Sequence, residues 1–316
     1  MSRFTTDPPS AQVRLAYAVL ILTTIFWGGN AVAGRLAVGH VSPMVLTALR
    51  WTVAVAILSV IAGPRLLRER QKVKAHLPLL FAYGAIGFAG FNIALYSALN
   101  HTTAINVAIW QAAIPIFIFM LNFAAFRVQA SWAQAVGVVI SLAGVAVVAS
   151  EGSMARLMAL RIGAGDALMA LAALFYASYS VALRFRPDIH WSAHVLVMAI
   201  AATVISWPMA LLELSGPRGI WPDGQGWLVI IYAAVFPAII AQTLYIRGVS
   251  IIGSNRGGLF VNLVPVMGTL LAILVLGERF GAHHALAMLL VGAGIWLSEK
   301  GFPGRPGRRT IPKDET

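Results

Sequence analysis

Long apolar runs separated by short polar stretches organise the whole chain. Ten runs approach the roughly 20 residues a helix needs to cross a bilayer: 14–33, 43–62, 78–98, 104–125, 131–149, 164–184, 192–213, 226–246, 257–276 and 283–298. The runs are continuous, whereas outer-membrane barrel strands alternate apolar and polar positions over about ten residues. The pattern predicts an all-α membrane protein with ten transmembrane helices. The connections are too short for a soluble domain. Residues 1–13 read as a cytoplasmic N-terminal segment and residues 300–316 as a basic cytoplasmic tail. No small-residue cleavage site follows the first run, which therefore reads as a retained helix.

Composition agrees with this pattern. Hydrophobic residues make up 59% of the 316 positions and charged residues 11%. Soluble domains hold roughly 45–50% and about 25%, and a soluble chain this apolar would lack polar surface to cover its core. The absence of Cys excludes disulfides, thiolate metal sites and a Cys nucleophile. A net charge of +12 would suggest nucleic acid in a soluble protein, but here the cations lie in short loops and the tail. Their distribution is an orientation signal, with no nucleic acid implied. With a cytoplasmic N-terminus, 17 Lys and Arg residues fall inside and 5 outside, and Arg50 lies within a span. Both termini are expected inside.

The two halves resemble each other at an almost constant offset. FWGGNAVAGR, Phe26 to Arg35, lies over FYASYSVALR, Phe175 to Arg184, and at the same offset of 149 Tyr96 lies over Tyr245. At an offset of 150, Pro115 lies over Pro265 and Gly144 over Gly294. The series predicts a duplicated five-helix unit, 14–150 and 151–299. A unit with an odd number of spans enters the membrane from opposite sides in its two copies. Two inverted five-helix repeats are the expected architecture, with a solute site near the midplane between them.

FWGGNAVAGR and GGLFVNLVPVMGTLLAILVLGERF (Gly257 to Phe280), with the Gly-containing last helix of each half, resemble the EamA-type branch of the drug/metabolite transporter superfamily. The resemblance spans residues 14–299. Its most specific part is the Pro of the ninth run followed by LGER, Leu276 to Arg279. The first half departs from it, with Phe126, Arg127, Val128 and Gln129 at the matching place. The resemblance implies a bacterial inner-membrane exporter of amino acids or related metabolites working by alternating access. Within the family the chain looks most similar to exporters of aromatic and other neutral amino acids. No cofactor is implied, and the oligomeric state is left open.

Three groups of residues are candidates for the mechanism. Pro115 and Pro265 interrupt matching runs, and Pro237 lies near the position that matches Gly87 and Gly90. These five are the expected hinge or gating points, because matched interruptions in two halves point to a transporter site. The amides of Asn30, Asn92, Gln111, Gln242 and Asn262 lie inside apolar runs, where hydrocarbon cannot satisfy them. They are expected to face a cavity or a neighbouring helix. Trp27, Tyr96, Trp110, Tyr176, Tyr179 and Tyr245 also lie within runs. They would suit a zwitterion with an apolar side chain, their faces also attracting an ammonium group.

The acids and the histidines all fall in loops, in tails or near run ends. Proton-coupled carriers keep an Asp, Glu or His at membrane depth, so the expectation is a uniporter. A carrier of phosphorylated metabolites or nucleotide-sugars would want Lys or Arg in its cavity. Only Arg50 and Arg256 come near, both read as close to helix ends. A membrane-embedded lipid-active transferase is disfavoured, because the chain contains no DxxD and no HxxxxD motif.

Overall fold

The structure, a computed structural model, describes residues 10–127, 132–150, 152–155, 163–217, 219–252, 260 and 263–300. Among them there is no strand, and each of the ten apolar runs contains helix. The helices are α1 (Ser10–Leu36), α2 (Pro43–Arg68), α3 (Leu77–Ala98), α4 (Ala104–Phe126), α5 (Trp132–Ala149), α6 (Ala164–Ala182) and α7 (Trp191–Leu214). Then come α8 (Gly224–Val235, continuing through Phe236–Ile240 and Ala241–Ile252), α9 (Val264–Leu276) and α10 (Ala282–Lys300). A short helix, Arg70–Ala75, follows α2. Seven of these, α1 to α4 and α6 to α8, are long and apolar enough to cross a membrane.

Polarity is arranged as lipid requires. Val60, Leu274 and Leu289 are more than two-thirds exposed, whereas Asn30, Arg50 and Asn92 are buried. The Trp residues read from the sequence as interfacial, Trp132, Trp221 and Trp227, are exposed at or beside the starts of α5 and α8.

Helices that match between the halves pack on one another. α2 packs on α7 and α5 on α10, while α1 meets α8 and α9 much as α6 meets α3 and α4. Small residues allow the closest crossings. A Cβ on Gly28 would stand 2.6 Å from the backbone nitrogen of Gly268, so α1 and α9 touch backbone to backbone there. Gly294 lies against Ser141 and the Gly137 carbonyl, and Gly144 against Val291 and Ala287. Of the small residues in these two runs, Gly137, Ser141, Gly144 and Gly294 lie in the α5–α10 contact, whereas Gly292 is exposed with open space beside it.

Carboxylates close the helix ends. The first N–H groups of a helix lack intrahelical acceptors. Glu213, at the end of α7, accepts from the backbone of Met44 (2.9 Å) and Val45 (3.2 Å) at the start of α2. Glu69, at the end of α2, accepts from His190 N–H (2.8 Å) at the start of α7. The two helices are therefore antiparallel and cap each other. Glu278 of the LGER motif accepts from Ala104 (2.9 Å) and Ile105 (3.0 Å), so the motif closes α4 from the end of α9. At one end of the bundle, Asp223 caps α8 through Gly226 N–H (2.9 Å) and pairs with His40 Nδ1 (2.7 Å). The His40 ring and the Gly226 N–H hold its carboxyl below the usual carboxylate range. That contribution is complete above the unfolded value and fades as pH falls through the lowered one.

Glu278→Ala should leave two buried donors without their acceptor and cost about 1–3 kcal/mol, read as a lower unfolding temperature in detergent. An unchanged temperature would mean that water or another group caps α4. Gly28→Leu should do more, preventing the α1–α9 crossing and yielding little monodisperse protein on size-exclusion chromatography.

Candidate functional site: a buried arginine in a polar and aromatic cluster

Two helices are locally underwound with widened turns, and both distortions fall where the sequence predicts paired flexible points. α3 carries a π-helical stretch over Gly84–Gly90, which contains Gly87 and Gly90. α8 carries one over Phe236–Ile240, which contains Pro237. Such π turns leave backbone groups out of the regular ladder, and side chains take them up. Trp27 Nε1 donates to the Pro237 carbonyl (3.2 Å). The Asn92 amide donates to the Phe88 carbonyl (2.7 Å). Glycine also makes room: a Cβ on Gly87 would strike the Tyr179 ring. The α4 interruption falls at Ala113, between Ala104–Ala112 and Ile114–Phe126, and Pro115 stands in the first turn of the second piece. Pro265 holds the same place in α9. Proline is tolerated there because first-turn N–H groups lack intrahelical partners anyway.

Between α1, α2 and α3 lies a cluster that the sequence reading only half anticipated. Arg50 of α2 is 3% exposed, and a single nitrogen, Nη1, faces three acceptors. It donates to Asn92 Oδ1 (2.6 Å), to Asn30 Oδ1 (3.4 Å) and to the Tyr96 hydroxyl. The Tyr96 hydroxyl in turn donates to Asn30 Oδ1 (2.8 Å). Three predicted site residues, Asn30, Asn92 and Tyr96, are thus joined by a fourth that was read as lying near a helix end. That position holds, and the inward direction of the side chain has a simple cause. Arg50 is only two turns into α2, and a side chain there could reach back to the interface. Acceptors on α1 and α3 turn it inward instead.

Aromatic rings extend the cluster across the two halves. The Arg50 guanidinium carbon lies 5.0 Å from the Trp51 ring centre and 5.7 Å from that of Tyr96. Trp51 stacks on Phe88 (4.5 Å), Phe88 meets Tyr179 edge-on (6.1 Å), and Tyr179 meets Tyr176 (5.8 Å). Tyr176 closes on Phe91 of α3 (5.2 Å). On the other flank Trp27 packs on Tyr245 (5.2 Å). Six predicted residues (Trp27, Asn30, Asn92, Tyr96, Tyr176 and Tyr179) therefore lie on or beside one polar and aromatic surface, with Tyr245 next to Trp27.

The remaining candidates do not join it. Trp110 is buried but donates through Nε1 to Asp166 (2.8 Å), in the first turn of α6. Gln111 and Gln242 are half-buried and take no part in the cluster. Asn262 and Arg256 lie outside the described residues. The sequence signal for Arg50 was available: a lone cation inside PMVLTALRWTVAVAILSV. Trp51 and Phe88 carried no signal beyond their apolar surroundings.

The family description "EamA-like transporter family" matches the chain twice, over residues 14–150 and 163–299. The chain belongs to the EamA-like transporter family. The two matches begin at the same offset of 149 that superposes Phe26 to Arg35 on Phe175 to Arg184. The uncharacterized transporter YyaM of Bacillus subtilis is 24% identical over 88% of this chain and 92% of its own length. An uncharacterized transporter of Archaeoglobus fulgidus is 23% identical over 89% and 97%. A probable terminal-alkyne amino-acid exporter of Streptantibioticus cattleyicolor is 30% identical, over 46% of this chain and 48% of its own. A solved structure at 22% identity covers 92% of this chain and 97% of itself with a TM-score of 0.60, and so shares the fold. This EamA family member is a multi-pass membrane transporter.

Tyr96→Phe should remove one acceptor from Arg50 and the donor to Asn30, costing about 1–3 kcal/mol. Thermal unfolding in detergent checks this. A stability equal to the parent's would show that the hydroxyl does not face the guanidinium.

Proposed function

We propose that this protein exports neutral and aromatic amino acids and related small metabolites from the cytoplasm, running down the solute gradient by alternating access. One observation carries the reading: a buried polar and aromatic cluster sits beside matched helix interruptions drawn from both halves of the chain. The name of the Streptantibioticus relative, an amino-acid exporter, supports the substrate class. The amides and the phenol offer hydrogen bonds to a zwitterion, and the Tyr176–Tyr179 surface offers an apolar wall.

The architecture in this proposal is ten spans in two inverted repeats, 14–150 and 151–299, with both termini on the cytoplasmic side of a bacterial inner membrane. The antiparallel pairing of α2 with α7, and the capping of α4 from the end of α9, support the inversion. Two arrangements of the same helix contacts, one open to each side, would then be close in energy. The π turns of α3 and α8 and the breaks before Pro115 and Pro265 are the proposed hinges.

Uniport is the proposed energetics. The acids with described partners are engaged in closing the bundle. Glu69, Glu213 and Glu278 cap helices, Asp223 caps α8, and Asp166 holds the Trp110 indole. None of them stands beside Arg50.

Counterflow in liposomes containing only this protein tests the proposal. Preloaded neutral amino acids should drive uptake of their labelled counterparts, at rates unchanged by an imposed pH gradient. Uphill accumulation driven by that gradient would overturn uniport, and an absence of amino-acid exchange would overturn the substrate class.

A further inference from the structure

Arg50 is a cation in a place that offers it no anion. Among the described residues no carboxylate pairs with Arg50, and every group it hydrogen-bonds is neutral. Burying a charge without a counter-charge is costly, and an ionisable group at membrane depth is more often functional than structural. A residue needed only to tie α1, α2 and α3 together could have been a neutral amide. The hydrogen bonding is also incomplete. Arg50 Nε is buried with no partner among the described residues, and so is Trp51 Nε1. Each unpaired buried donor forfeits the water it would otherwise hold. Two such donors on adjacent residues stand beside one uncompensated charge, and a single negatively charged acceptor would satisfy what all three lack.

We infer that Arg50 is the anchor for a carboxylate on the transported solute, so that this carrier selects molecules bearing a free carboxylate group. The inference rests on the transport function proposed above and names the chemistry its site reads. A guanidinium presents its donors as a planar fork that a carboxylate meets with both oxygens. One Arg neutralises one carboxylate, whereas a phosphate dianion would leave the closed site with a net negative charge. In the present arrangement Asn92 Oδ1, Asn30 Oδ1 and the Tyr96 hydroxyl stand in for the solute. Asn92 is bonded to the carbonyl of Phe88, inside the π turn of α3. Movement of that turn withdraws Asn92 from Arg50 and opens the fork as the solute arrives. The second half carries Ala199 at the position matching Arg50, so the anchor is single and off the axis relating the halves.

The test is exchange in liposomes of the pure full-length protein with four probes: phenylalanine, phenylalaninamide, phenethylamine and 3-phenylpropanoate. Both carboxylates should exchange at least about a hundredfold faster than the amide and the amine, as expected for a site built to bond the missing group. Arg50→Gln should abolish that preference. Arg50→Lys, which keeps the charge but not the fork, should raise the half-saturating concentration of phenylalanine by roughly tenfold or more. The wild-type probe panel decides the matter even if a variant fails to fold. Equal exchange of phenylalanine and its amide would overturn the anchor and leave the amino-acid carrier standing. Exchange of 3-phenylpropanoate without phenylalanine would support the anchor and overturn the amino-acid reading. No exchange of either carboxylate would overturn the anchor outright.

Discussion

Hydrocarbon cannot hydrogen-bond, and the rest of this structure depends on that constraint. Every N–H, carbonyl and charge that enters the apolar layer must find its partner within the chain or a wet cavity. Regular helices satisfy most backbone groups by themselves. What remains are the helix ends, the π turns and the polar side chains, and many of these are met by a group from elsewhere in the sequence. Carboxylates of α2 and α7 close each other's helix starts. The indole of Trp27 takes a carbonyl from the distorted turn of α8. The exception is Arg50, whose neighbours supply acceptors but no negative charge.

A duplicated scaffold and an unduplicated lining coexist in this chain. The scaffold keeps matching features in both halves: π turns in α3 and α8, prolines at the first turn after a break, and small residues where α5 meets α10. These set helix geometry. The lining differs. At an offset of 149, Trp27 faces Tyr176, Asn30 faces Tyr179 and Arg50 faces Ala199. Divergence at these positions, on a backbone free to stay similar, gives a polar flank on α1, α2 and α3 and an aromatic flank on α6.

The LGER motif illustrates how a family signature divides between the two roles. Its glycine ends α9 in the left-handed region, at φ 66°, and its glutamate closes the start of α4. The same segment thus ends one helix and begins the sealing of another.

The sequence alone determined the helical class, the positions of the apolar runs, the duplication and the places of the paired helix distortions. These are local or periodic properties: run length, hydropathy, and the backbone demands of Pro and Gly at matching places. It also named most of the residues that meet in the cluster, because an amide or phenol in an apolar run must find a partner somewhere. It could not decide which partner. That depends on how far each helix is rotated and where it crosses its neighbours, which contacts such as Gly28 with Gly268 decide. Only the tertiary structure turned Arg50 inward to Asn30, Asn92 and Tyr96, and drew Trp110 to Asp166 instead. A long cationic side chain two turns from a helix end has two ways to satisfy itself, outward to the interface or inward to acceptors. The choice belongs to the helices packed around it.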